Sequence, residues 1–158
     1  MKKVIALLII AAMLTAAITG CSTKTEKVET EVASETNKEN TKKLKVGIVQ
    51  SINHPSLDEI REYAIKGLEE SSLKDNIEII YKDAQGDPSN VNTIISQFIG
   101  DEVDIIIPIA TGAAQTAASA TKDIPIVFAA VSYPIKAGLV EDMNKTDKNI
   151  TGVSMLLQ

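Results

Sequence analysis

The sequence predicts an α/β fold across residues 44–158, a doubly wound parallel sheet with helices on both faces. Three observations predict it. Short β-branched runs alternate with segments of helical periodicity, the pattern of successive strand–helix units. Val103 to Ile109 is mostly apolar, as a central parallel strand covered on both faces requires. The stretch of roughly 115 residues is one domain's worth of chain. Right-handed crossovers then restrict the layout, and ligands in such sheets sit outside the carboxyl ends of the strands.

Residues 1–21 read as an export signal. Lys2 and Lys3 charge the amino terminus, an apolar run from Val4 to Ala17 is broken only by Thr15, and Ile18-Thr19-Gly20-Cys21 closes it with small residues. The run is short of the ~20 apolar residues that a spanning helix needs. Its ending resembles the lipobox of bacterial lipoproteins, in which the cysteine is lipidated and becomes the first mature residue. The competing reading is an ordinary signal peptide with a chance cysteine. Lipidation at Cys21, by at least two acyl chains of the palmitate kind, would make a stable anchor on the extracytoplasmic face of the cell membrane. Cys21 is the only cysteine, so no disulfide can form within one chain. Residues 22–43 hold only Val28, Val32 and Ala33 to bury, which predicts a disordered, solvated tether.

The globular elements follow in order. Leu44–Gln50 is β-branched and bounded, so a strand is expected. Ser56-Leu57-Asp58-Glu59 has the form of a capping box, and Leu57, Ile60, Ala64 and Leu68 give a buried helical stripe to about Leu73. Ile77–Lys82 is the second strand. Asp87-Pro88 is an N-cap followed by proline at the first helical position, ahead of the stripe Val91, Ile94, Ile95, Phe98 and Ile99. Val103–Ile109 is the third strand, with Pro108 expected where the ladder is ending. Thr111 can cap an alanine-rich helix from Gly112 to about Thr121. Ile124–Ala130 is a fourth strand and Ile150–Leu156 a fifth.

Composition narrows the function. A net charge of −5, an aromatic content of 3% and no tryptophan exclude the basic patch and the stacking platforms of nucleic-acid binders. His54 is the only histidine, and no cysteine or second histidine completes a zinc site with it. Asp83-Ala84-Gln85-Gly86-Asp87 lacks the ligand set of a calcium loop, and capping explains Asp87 more simply. No dinucleotide, phosphate-loop or nucleophile-elbow motif occurs. An enzyme and a cofactor are therefore not expected.

The loops at the strand carboxyl ends are Gln50–Pro55, Asp83–Asp87, Ala110–Ala113 and Val131–Pro134, all polar or small. Ala110-Thr111-Gly112-Ala113-Ala114-Gln115 opens a helix with small residues after an apolar strand. Exposed amides and the helix dipole suit a carboxylate or phosphate there. An ordinary helix start packed on the sheet fits the same residues equally well. Taken singly, the polar residues of Gln50–Pro55 read as turn residues.

Together these stretches resemble one family. Val46-Gly47-Ile48 with Gln50, His54-Pro55-Ser56-Leu57-Asp58, Asp83 to Asp87, Ile109-Ala110-Thr111, Ala113-Ala114-Gln115, Asp123 to Val131, Pro134, Ala137 to Val140 and Asn149 to Ser154 are similar to the substrate-binding lipoproteins of ABC transporters, in the group with tryptophan- and other amino-acid-binding members. The resemblance implies a periplasmic-binding-protein (type I-like) first lobe of a two-lobed clamp. It also implies a small amino-acid-like ligand and a membrane permease as partner. By match, Gln50, Asn53 and His54 would contact the ligand from the first loop. Thr111, Ala113, Ala114 and Gln115 would do so from the helix start, and Ser132 from the fourth strand's end. Thr111 and the amides of Ala113 and Ala114 would hold the ligand's carboxylate. Gly112 stands where the family often has proline, and Tyr133 where it often has aspartate. Such clamps close with a second lobe of similar size, so the expectation is an incomplete clamp whose affinity is lowered by several factors of ten. The alternative is a membrane-anchored sensory or interaction lobe with no transported ligand.

Overall fold

The computed structural model describes residues 42–145 and 148–155. The expected export signal, Cys21, nearly all of the expected tether and Leu156, the expected end of the fifth strand, lie outside the described residues. Five strands, β1 (Leu44–Gln50), β2 (Ile77–Asp83), β3 (Ile105–Ile109), β4 (Ile126–Val131) and β5 (Ile150–Ser154), form one parallel sheet in the order β2-β1-β3-β4-β5. The helices are α1 (Pro55–Glu69), α2 (Pro88–Gly100) and α3 (Thr111–Ala120), with a short 3-10 turn at Lys74–Asn76. The strand order reverses direction at β1, so the chain winds outward from a central strand as the alternation predicts. Among the described residues no helix is long and apolar enough to cross a membrane.

Strand periodicity sorts the side chains onto two faces. Gly47 and Val49 of β1 face α2 and α3, with Ile80, Ile106, Ile126 and Phe128 from the neighbouring strands. Ala113, Ala114 and Ala117 of α3 are fully buried there, small enough to bring the helix close to the sheet. Gly47 admits the Phe98 ring: a Cβ at that position would stand 2.8 Å from it. Val46 and Ile48 point the other way, toward Leu57, Ile60 and Leu68 of α1. No α1 residue is fully buried, so the predicted stripe is half-buried.

Several boundaries differ from the sequence expectation. His54 rather than Ser56 caps α1: its Nδ1 accepts from the Ser56 N–H at 3.3 Å, and Pro55 takes the first helical position. Proline needs no acceptor for a missing N–H, so the helix starts one residue before the expected capping box. It also ends earlier, at Glu69. Val103 is buried in the turn before β3. Pro108 sits inside the central strand, opposite Val49 of β1. On its other side the β3–β4 pairing passes from Ile106–Ile126 to Ile109–Ala129, across the place where Pro108 has no N–H to give. A second irregularity lies in β4, where pairing with β5 shifts between Phe128 and Val131 and Ala130 has φ 57°. A left-handed residue at such a shift is a bulge, which re-aims the side chains after it at the sheet's rim.

Candidate functional site

The carboxyl ends of β1, β2 and β3 are tied together by hydrogen bonds to backbone carbonyls. Ala84 N–H donates to Gln50 O at 2.9 Å, Gly86 N–H to Ser51 O at 2.8 Å, and Ser51 Oγ to Ile109 O at 3.2 Å. The β1–α1 and β2–α2 loops therefore meet the start of α3 at one edge. Between them lies a cavity of about 260 Å³, bounded by Ser51, Ile52, Gly86, Val91, Gly112 and Thr116 among others. Gly86, at φ +82°, makes the turn that lets Ile52 approach.

Three helices begin at this edge, as parallel βα units require, and their starts are not alike. The start of α1 is capped by His54, and that of α2 by Asp87, whose Oδ1 accepts from Ser89 N–H at 2.8 Å. Asp83 is likewise engaged, accepting from Gln85 N–H at 2.8 Å. The α3 start has no side-chain cap. Its N-cap is Ala110, and Thr111, the expected cap, is the first helical residue instead. Ala110 adopts φ 79°, ψ 160°, a region that belongs to glycine and costs an L-residue on the order of 1–3 kcal/mol. Two bonds hold it there: its N–H donates to Ala129 O at 3.0 Å, and its carbonyl accepts from Ala114 N–H at 3.1 Å. The Ala114 amide is thus committed to the helix and is not available to a carboxylate. Thr111, Gly112 and Ala113 are the first three helical residues, whose amides have no intrahelical acceptor.

The remaining expected site residues separate. Gln50 is fully buried. Its Nε2 donates to Ile52 O at 2.9 Å and Asp58 Oδ1 at 2.8 Å, and its Oε1 accepts from Arg61 Nη1 at 3.3 Å. It turns toward α1 and away from the cavity. Asn53 and His54 are exposed in the loop beyond it. Ala113 and Ala114 are buried against the sheet, so of the two only the free Ala113 amide could reach a ligand. Gln115 lies on the outer side of α3, where Nε2 donates to Ala137 O at 3.0 Å and the side chain borders a separate cavity with Lys122 and Lys148. Ser132, half-buried after the bulge, borders a third cavity of about 360 Å³ with Tyr133, Ile135, Lys136 and Met143.

Sequence reasoning passed over Thr116 and the Asp58–Arg61 pair. Thr116 stands one helical turn after Gly112, whose carbonyl accepts from its hydroxyl at 3.0 Å, and that spacing alone would have put it on the same face. Asp58 and Arg61 are opposite charges three apart on α1, 2.9 Å from each other. The Tyr81 hydroxyl that Arg61 donates to holds the guanidinium pKa above its ordinary value; burial opposes the rise, and the neighbouring Asp58 carboxylate adds to it. Among the described residues no cluster of His, Cys, Asp and Glu could hold a metal ion.

Comparison with known proteins bears on what such an edge does. Residues 45–158 match the profile of a family described as ABC transporter substrate binding protein. A tyrosine-binding protein of Clostridioides difficile (strain R20291) is 40% identical over 156 residues, 97% of this chain and 44% of that protein. The ligand-free, open structure of a substrate binding protein with adhesive properties from Clostridium difficile superposes with a TM-score of 0.69 at 42% identity, over 72% of this chain and 39% of that one. An ABC domain from Streptococcus pneumonia in complex with L-Trp gives 0.68 at 43% identity, over 71% and 38%. The chain thus spans less than half the length of these relatives.

Proposed function

The chain belongs to the ABC transporter substrate-binding protein family, and on that premise we propose that it captures a small amino-acid-like carboxylate outside the cytoplasm for delivery to a membrane permease. The observation that carries this reading is the α3 start, among the described residues the one helix start of three at the shared edge that has no side-chain cap. Its first amides, at Thr111, Gly112 and Ala113, point a positive dipole end at the space where the loops converge. A carboxylate seated there would do for α3 what Asp87 does for α2, and such a charge is worth ~0.3–1 kcal/mol, up to ~2 when partly buried. Two of the similar proteins are described with aromatic amino acids, tyrosine and L-Trp, which favours that class of ligand. Asn53 and His54 would contact the ligand from the first loop and Ser132 from the β4 end. Gln115 would join them only by releasing Ala137. A lipid on Cys21 would hold this capture edge near the permease.

Titration calorimetry of the chain with L-tyrosine, L-tryptophan and their α-carboxamides tests the reading. The acids should bind and the amides should not. Gly112→Asp should weaken the acids at least tenfold, because its carboxylate would repel theirs at the α3 start, and the fold should tolerate it, since a Cβ there meets open space. Equal binding of acid and amide would sink the carboxylate assignment. For the anchor, Cys21→Ser should move the expressed protein from the membrane fraction to the soluble one. The exposed Tyr133, Ile135, Met143 and Val153 favour a second reading, an anchored interaction lobe that transports nothing. It predicts no carboxylate-dependent binding by any amino acid.

A further inference from the structure

We infer that Gln50, Asp58, Arg61 and Tyr81 form a positioning bracket that presets the β1–α1 loop, so that the loop is already in its capture geometry before any ligand arrives. Val46 and Ile48, the residues of β1 that face α1 ahead of Gln50, are apolar; Gln50 is a fully buried amide. A buried amide left without partners is costly, whereas an apolar residue of the same shape is not. Stability alone therefore gives no reason for an amide at this place. Its geometry supplies one.

The bracket joins three elements. From the end of β1, Gln50 Nε2 holds the Ile52 carbonyl of the loop at 2.9 Å and the Asp58 carboxylate of α1 at 2.8 Å. Arg61 Nη1, from the next turn of α1, reaches Asp58 Oδ1 at 2.9 Å, Gln50 Oε1 at 3.3 Å and the Tyr81 hydroxyl of β2 at 3.1 Å. Its guanidinium also lies 4.9 Å from the centre of the Tyr81 ring. No buried side-chain polar atom lacks a partner among the described residues, and a fully satisfied network of this kind specifies one geometry. The loop is held from both ends: Gln50 grips Ile52, and the His54 carbonyl accepts from Leu57 and Asp58 N–H at 2.8 and 2.9 Å. Between those grips stands Asn53, with His54 at the far one. A preset loop avoids the ordering cost of binding. Gln50 is thereby a positioning residue, acting on a ligand through Ile52, Asn53 and His54. This consequence for binding rests on the proposed capture reading; the bracket's hold on the loop does not.

Amide hydrogen exchange in the ligand-free chain, read by NMR, tests the two apart. The reporters are the amides of Leu57, Asp58 and Gly86, which donate to the loop carbonyls of His54 and Ser51; the references are Ile106 and Ala110, which donate across β3–β4. Gln50→Leu should speed the reporters at least tenfold and leave the references unchanged. Asp58→Ala should speed the same reporters other than its own, and the double variant should be no faster than Gln50→Leu. Equal acceleration of reporters and references would reduce Gln50 to a core residue, and unchanged reporters or additive effects would also overturn the bracket. Should Gln50→Leu not fold, Asp58→Ala and Arg61→Lys carry the same comparison. Titration of the same variants with L-tyrosine and L-tryptophan adds the binding arm. Where the wild-type chain binds either one, Gln50→Leu should bind at least tenfold more weakly through faster release, and unchanged affinity would overturn the positioning role. Where the wild-type chain binds neither, the capture reading falls and the exchange result still decides the bracket.

Discussion

The two faces of the sheet are held by different physics. Under α2 and α3 lies a dry core of Val91, Ile95, Phe98, Ile106, Phe128 and three alanines, each at most 4% exposed. Under α1 the helix contributes no fully buried residue, and half-buried Leu57, Ile60 and Leu68 share the contact with the polar bracket. Hydrophobic burial is large but non-directional, while hydrogen bonds add little net stability and fix direction. The α2/α3 face supplies the stability of the sheet. The α1 face supplies the placement of a loop.

Breaking the dry face should have the largest effects. In Gly152→Ala the new Cβ would overlap the Phe128 carbonyl oxygen and stand 2.6 Å from its ring, so β5 must leave β4. A loss above ~3 kcal/mol is expected, read as a drop in the urea midpoint. Phe98→Ala should cost about 3–5 kcal/mol by emptying the space over Gly47. On the α1 face, Leu68→Ala should cost only about 1–2 kcal/mol, because a half-exposed side chain forfeits part of its transfer energy. A Leu68 loss as large as that of Phe98 would erase the distinction between the faces. Arg61→Ala should cost roughly 1–3 kcal/mol by leaving Gln50 Oε1 and Asp58 short of a donor. Its larger signature should be faster exchange at Leu57 and Asp58. The smallest change should carry the opposite sign. Ala110→Gly relieves a glycine-only backbone and should stabilise the chain by ~1 kcal/mol, seen as a higher melting temperature.

Much of the fold was legible because it depends on local pattern. Strands β1 and β2, the Asp87-Pro88 start of α2 and its stripe Val91, Ile94, Ile95 and Phe98 stand within a residue or so of where spacing puts them. Boundary errors came from choices between neighbouring caps. Ser56 offered a capping box, but Pro55 could begin a helix at no cost in hydrogen bonds and His54 could accept. Thr111 offered a hydroxyl, but the strand ran one residue into a left-handed alanine and left α3 uncapped. The candidate site was legible as a set of loops and not as a set of side chains. Asn53, His54 and Thr111 stay near the shared edge, while Gln50 turns inward and Gln115 turns outward.

Periodicity, β-branching and the position of proline are properties of neighbours along the chain, so the sequence by itself determined the alternating elements, the parallel sheet and the edge where its loops gather. The direction in which a single polar side chain turns depends on partners far away in sequence. Tyr81 is twenty residues beyond Arg61, and Ala137 is twenty-two beyond Gln115. Only the folded sheet brings those partners within 3.1 Å, and only then does Gln50 become the residue that holds the loop.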